Sequence, residues 1–282
     1  MEFQLTEEQQ QLREAARRYV RDKLPPVAEE LEETNQAPSR ELIKDFARMG
    51  FLGINVPEKF GGLGLGNLEA LIVLEEFAQV SSAVAFPVFE SIVGPVRAIE
   101  RFGDPQLANE VVPAVCSGEK MVAVSMSEPQ AGTALTDLKT RAEVKGDTVV
   151  VNGTKRWCSG GGHADGYVVY CRMSDDPGAR GIGAVYIEKD TPGLSFGAPE
   201  ICSGFAASHL PTCIWTTSPY RHTTSSCRPA AFANSWKPST LNAAVTRPWR
   251  SGRHRVHSRT CSATCRNGNS SVNPLSSSRP CN

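Results

Sequence analysis

After Glu200 the sequence contains no aspartate and no glutamate. All 30 acidic residues lie before Ile201, while the final 82 residues carry nine arginines and one lysine with nothing opposing them. The formal net charge of +0 over 282 residues therefore averages two unlike parts, an acidic body and a basic tail. A segment without carboxylates offers no carboxylate base, no acid–base ion pair and no carboxylate metal ligand. Other things are scarce as well. The opening MEFQLTEEQQ is polar and has no apolar core, so no secretory signal is expected. No apolar run is read as approaching the roughly 18–20 residues of a membrane span. Only three of the nine cysteines, Cys116, Cys158 and Cys171, precede residue 200, and they are scattered. That distribution fits a reducing cytoplasm better than a disulfide framework.

What is present before residue 200 divides in two. From the start to about residue 118 the pattern is helical. Thr6 and Gln9 have capping-box spacing, and Leu12, Ala16, Tyr19 and Val20 recur at helical intervals until Pro25-Pro26, where a stop is expected. SRELIKDFARMG repeats the design, with Ser39 as cap and Gly50 as terminator. NLEALIVLEEFAQV, VGPVRAIERFG and DPQLANEVVPAV add three more helical segments. From Met121 the segments shorten, gain Val and Tyr, and are broken by Gly-Asp, Asn-Gly and Pro-Gly turns, the marks of strands and hairpins. The expected fold class is α+β: a helical domain over residues 1–120 and a compact antiparallel β domain over 121–203. Residues 204–282, rich in Ser, Thr, Arg, Pro and Ala without an apolar stripe, are expected to be disordered.

Three glycine-containing stretches invite chemistry. PEKFGGLGLGN at 57–67 could cradle a phosphate, but helices flank it on both sides and no βαβ unit is in sight, which favours a plain turn. VSMSEPQAGT at 124–133 ends a strand and opens a loop able to aim N–H groups and hydroxyls at the edge of a polar ring. KRWCSGG at 155–161 ends another strand, and Trp157 is either a core aromatic or a platform for a planar cofactor.

With PEKFGGLGL, RFGDPQLANEVVPAVCSGE, SMSEPQAGTALTDLKTRA, VNGTKRWCSGGGHADGYVVY and TPGLSFGAPE in that order, the first 200 residues resemble the acyl-CoA dehydrogenase family. The resemblance implies a helical domain, a middle β domain and a C-terminal four-helix bundle with FAD between them. It implies flavin contacts through Val124, Met126 and Ser127, with Gly132 and Thr133 near the flavin and its pyrophosphate. It places Trp157, Cys158 and Ser159 on the other side of the ring system. Ser127 and Ser159 stand where the family usually has Thr, Thr133-Ala134 where it has Ser-Asp, and Cys158 where it has an aliphatic residue, often Ile. The implied activity is α,β-dehydrogenation of an acyl-CoA thioester, a step of fatty acid oxidation. An electron-transfer flavoprotein or similar acceptor and a homo-oligomeric assembly come with it. The family's base is a glutamate in the C-terminal bundle, a region where this chain has no carboxylate. No catalytic residue is therefore assigned.

A shifted reading frame removes two residue types more readily than a domain boundary does. With codons chosen from those the tail allows and a shift of one base after Phe205, the tail can be re-read as RGIPSADLYLDDVPVPA and then NIVVPAGGFRKLMEAFNLERCGNATM. The first resembles the family's sheet-completing strand and the second its first bundle helix. Two sharper readings of the tail are weaker. His254, His257, Cys261 and Cys265 lack the paired close cysteines of a zinc site, so no metal is assigned. Arg247 to Arg259 attract phosphate without a reading module, so no nucleic-acid role is assigned either. The expectation is an inactive relative of these dehydrogenases, or a fragment that binds acyl-CoA or a partner without turnover.

Overall fold

A computed structural model of the chain describes residues 4–145, 148–198, 200, 213–221 and 226–227, with the backbone alone at 148, 215–221 and 226–227. Six helices come first: α1 (Glu7–Thr34), α2 (Arg40–Arg48), α3 (Asn67–Ala78), α4 (Ser82–Ile92), α5 (Pro95–Phe102) and α6 (Pro105–Cys116). The Thr6–Gln9 capping box forms as expected, and Ser39 accepts the Leu42 N–H at the head of α2. The stop expected at Pro25-Pro26 does not occur: α1 continues to Thr34. Two missing N–H donors weaken the helix locally, but Leu24, Ala28 and Leu31 on the same face are buried and carry it through. Helix α4 was not among the segments read from the sequence, because SAVAFPVFESI is apolar on nearly every side and contains Pro87.

An aromatic cluster of Tyr19, Phe46, Phe51 and Phe77 welds α1, α2 and α3, with edge-on ring centroids 5.1–5.2 Å apart at the closest pairs. The 57–67 stretch is a turn, as expected. Its N–H groups are spent internally, from Leu63 to the Gly53 carbonyl (2.8 Å), Gly64 to Val56 (2.9 Å) and Leu65 to Ile54 (2.9 Å). A side chain on Gly62 would strike the Val56 carbonyl.

The β domain is one eight-stranded curled sheet. Its strands are β1 (Val122–Ser125), β2 (Arg141–Lys145), β3 (Thr148–Lys155), β4 (Gly166–Arg172), β5 (Ile182–Glu188), β6 (Leu194–Phe196), β7 (Cys213–Arg221) and β8 (Ser226–Cys227). They lie in the order β6-β7-β3-β2-β4-β5-β8, with β1 pairing β4. The succession of helical then β domain is as expected, but the sheet is not purely antiparallel. Strand β1 runs parallel to β4, because the β2–β3 hairpin lies between them in sequence and brings the chain back in the same direction. A second difference lies at the C-terminal side. The sheet was expected to end by residue 203, yet β7 pairs with β3 over its whole length. The zinc and nucleic-acid candidates at 247–265 lie outside the described residues.

The two domains share one core. Val111, Val112 and Val115 of α6 pack with Val122, Val168 and Tyr186 of the sheet. Arg40 of α2 clasps Asp165 through two hydrogen bonds of 2.6 and 2.8 Å, and Asp165 also accepts the Met121 N–H at 2.7 Å. One described stretch, Ser82–Phe102, is apolar and long enough by composition to cross a membrane, which the sequence reading had missed. Gly94 divides it into α4 and α5, and 67% of its most apolar window is buried within the protein, as the core of the helical domain requires.

Candidate functional site

The ends of β1 and β3 come together, and with them the two segments singled out in the sequence. The Arg156 N–H donates to the Ser127 carbonyl at 2.9 Å, and the Cys158 thiol faces the Val124 carbonyl at 3.4 Å. The segment Val124–Ser127 thus runs beside Arg156–Cys158, with Trp157 and Ser159 on the same turn. Trp157 is 52% exposed, so the core-aromatic reading of that residue does not hold. The Arg156 guanidinium lies over its indole, 5.2 Å from the ring centroid, and Arg156 donates to Glu200 at 2.9 Å. Hydrogen bonds from Trp157 and Arg156 hold the Glu200 carboxyl below its usual range. The last acid in the chain therefore anchors the exposed tryptophan.

Gly132 and Thr133 follow on the exposed loop after the Glu128–Ala131 bridge. A methyl group on Gly132 would meet nothing within 4 Å, so the backbone there is open to approach. The hydroxyls of Ser127, Thr133 and Ser159 donate to no other described residue. A half-exposed indole, an open glycine and uncommitted hydroxyls on two adjoining loops fit a planar cofactor with a phosphate-bearing tail.

Sequence reasoning missed the groups that hold this arrangement. Lys155, the last residue of β3, is 1% exposed and donates to both the Met126 carbonyl and Glu128, each at 2.8 Å. Glu128 also accepts the Lys139 and Thr140 N–H groups at 2.7 and 2.8 Å. Burial alone would push the Glu128 carboxyl up, but those donors overcome it and hold it below the usual range. Burial in turn pulls the Lys155 ammonium down against the attraction of Glu128. The Lys155–Glu128 contact pins the 126–128 loop to β3. A signal was available: Lys155 stands in a Val-rich strand pattern, immediately before the segment that carries Trp157.

The second missed group is Glu90 of α4. It is 6% exposed, with its carboxyl 3.5 Å from the Val124 N–H. Burial, and secondarily the neighbouring Cys158, push its pKa well above the usual range.

Residues 6–119 match the acyl-CoA dehydrogenase N-terminal domain, and residues 123–213 match the middle domain of the same family. The chain belongs to the acyl-CoA dehydrogenase family. It is 36% identical over 194 residues to the mitochondrial isovaleryl-CoA dehydrogenase of Pongo abelii, which covers 68% of this chain and 46% of that protein. It is 36% identical over 210 residues to the acryloyl-CoA reductase (NADH) of Anaerotignum propionicum, covering 74% and 53%. The solved glutaryl-coenzyme A dehydrogenase glutaryl-CoA complex superposes with a TM-score of 0.78 at 30% identity, over 83% of this chain and 60% of that one. The chain thus spans about half the length of the curated relatives it matches. Members of the family bind FAD.

Proposed function

We propose that this chain is the flavin-holding part of an FAD-dependent acyl-CoA dehydrogenase and that, as it stands, it does not turn over acyl-CoA. The observation that carries the reading is the junction of Val124–Ser127 with Trp157–Ser159 beside the open Gly132–Thr133 loop. Val124, Met126 and Ser127 would hold one side of the isoalloxazine, and Trp157, Cys158 and Ser159 the other. Gly132 and Thr133 would lie toward the pyrophosphate. When bound, FAD supplies the acceptor for the hydride lost from the β carbon of the thioester.

The protein's own share of such a reaction is to orient the ring, exclude water and provide a base for the α proton. The two carboxyls at the junction are poorly suited to that last task. Glu90 is buried in α4 with its pKa pushed well above the usual range, and Glu128 is locked by Lys155 and two backbone amides. Beyond Glu200 there is no carboxylate to take their place. Absence of the general base alone lowers the rate by roughly two to four decades. The acid-free composition supports a one-base change of frame near Phe205 as its origin, with loss of the bundle that would contribute the base, the oligomer contacts and the docking face for an electron-transfer flavoprotein. Free, buried Cys116, Cys158, Cys171 and Cys213 support a reducing compartment such as the cytoplasm.

The test is to sequence the coding DNA across the Phe205 codon and to assay the purified chain with an acyl-CoA panel and a reducible dye. A neighbouring frame encoding a carboxylate-bearing helical continuation, with no dye reduction by this chain, is the expected result. A yellow protein that reduces the dye overturns the proposal.

A further inference from the structure

The turn that carries Trp157–Ser159 runs on to Asp165, where β4 begins, and its far end is held from the helical domain. Inside the turn the Gly160 carbonyl accepts the His163 and Ala164 N–H groups at 2.9 and 2.8 Å. The Tyr167 hydroxyl accepts the Gly162 N–H at 2.9 Å. Gly160 and Gly162 adopt the left-handed backbone that so tight a coil needs, with φ of 72° and 79°. These bonds shape the turn but do not set where it sits against the helices.

Arg40 of α2 does that. Its two Nη atoms grip both oxygens of the Asp165 carboxylate, and Nη2 also donates to the His163 carbonyl at 2.9 Å. Asp165 is joined in turn to Met121, the residue before β1. The Met121 N–H donates to its carboxylate at 2.7 Å, and the Asp165 N–H donates to the Met121 carbonyl at 2.8 Å. One helical residue therefore holds the roots of both segments assigned to the flavin. The first is the turn after Trp157, and the second is the strand that ends in Val124–Ser127.

We infer that Arg40 is a positioning residue for the cofactor, fixing the Trp157 turn and strand β1 relative to each other from helix α2. The inference rests on the flavin reading above. Arg40 acts through His163, Asp165 and Met121 and makes no contact of its own with the ring-holding segments. Its planar guanidinium supplies three directed bonds at once, which a lysine ammonium on a flexible stem does not reproduce. The Arg40 and Asp165 side chains are 39% and 33% exposed. A pair so open to water adds little to global stability, so its weight falls on the geometry of the site it supports.

The experiment titrates FAD into the whole chain, follows quenching of flavin fluorescence, and records the visible circular dichroism of the bound ring. Arg40→Ala is expected to weaken FAD binding roughly tenfold, within the usual range for coupling between linked sites. Arg40→Lys keeps the charge and the fold, yet recovers only part of that loss. Both variants change the dichroism of the bound flavin, a signature that a purely structural role would not move. The control is Arg141→Ala, which removes a comparably exposed arginine paired with Asp175 at 2.8 Å and leaves affinity and dichroism as they were. All titrations are run well below each variant's thermal midpoint, so that unfolding does not pass for weak binding. Unaltered affinity and dichroism in Arg40→Ala and Arg40→Lys overturn this inference alone. An unsubstituted chain that binds no FAD overturns the flavin reading and this inference with it.

Discussion

Strand β3 is bordered by β2 on one side and β7 on the other, and the two borders are made differently. On the β2 side, five residue pairs join a tight hairpin, and Glu143 of β2 lies 3.6 Å from Arg141 and 3.3 Å from Lys145 along its exposed face. On the β7 side the ladder is longer and shifts register between Val151 and Gly153, where any side chain on Gly153 would strike Thr140. Yet β7 comes from the acid-free tail. Its sequence CIWTTSPYR is rich in residue types that favour extended backbone, and Pro219 falls beyond the stretch that β6 pairs. A backbone ladder asks little of side-chain identity, so an altered sequence can still supply a strand. Site electrostatics ask for specific charges, and only the acid-bearing body has them. On the proposed change of frame, strand character survives over residues 213–221 while carboxylates do not.

The comparison breaks most readily at Lys155. Lys155→Met leaves Glu128 charged and unpaired in the interior, a loss of about 3–5 kcal/mol that urea unfolding would register. The double variant Lys155→Met/Glu128→Leu recovers most of it, because an apolar pair of similar volume is tolerated where half a pair is not. Full stability of the single variant would show that the 126–128 loop is held by something else. Acid sharpens the same point. Glu128 is held below its usual range in the folded state, so its contribution is complete above the unfolded carboxylate value of about 4.3. That contribution fades as pH falls through the lower folded value. The gap between the Lys155→Met variant and the unsubstituted chain narrows over that window, measured as midpoint against pH.

Removing everything after residue 203 is the next smaller perturbation. It strips β7 from β3 and β6 but leaves all three apolar clusters, whose described buried members all precede Cys213 apart from that residue itself. Cooperative unfolding with a modestly lower midpoint is expected. Collapse to an unfolded chain would mean that β7 is integral to the sheet rather than an edge cover.

Much of this was legible in the sequence where one local rule decided the outcome. Caps at Thr6 and Ser39 and the turn at 57–67 follow from residue type and spacing, whereas the nearness of SEPQAG to KRWCS was implied only by the family resemblance. The misses share a cause, since each depends on tertiary burial overriding a local signal. Pro25 and Pro26 read as a stop until Leu24, Ala28 and Leu31 are seen to lie in one buried face. Helix α4 hides because uniform apolarity has no period. Glu90 and Lys155 look like ordinary surface charges until the fold encloses them.

The smallest expected effect concerns a feature that the sequence alone did specify. Thr6 caps α1 by accepting the Gln9 N–H at 3.3 Å, while the Gln9 side chain accepts the Thr6 N–H at 3.0 Å and also donates to Glu69 of α3 at 2.7 Å. Thr6→Ala removes one acceptor at an exposed helix end, where water replaces it in part, so the cost is about 1 kcal/mol. Gln9→Ala removes the reciprocal half together with the tether to Glu69, and should cost at least as much. If Thr6→Ala proved the costlier of the two, the cap would outweigh the α1–α3 tether. That result would rank a contact within one helix above a contact between two.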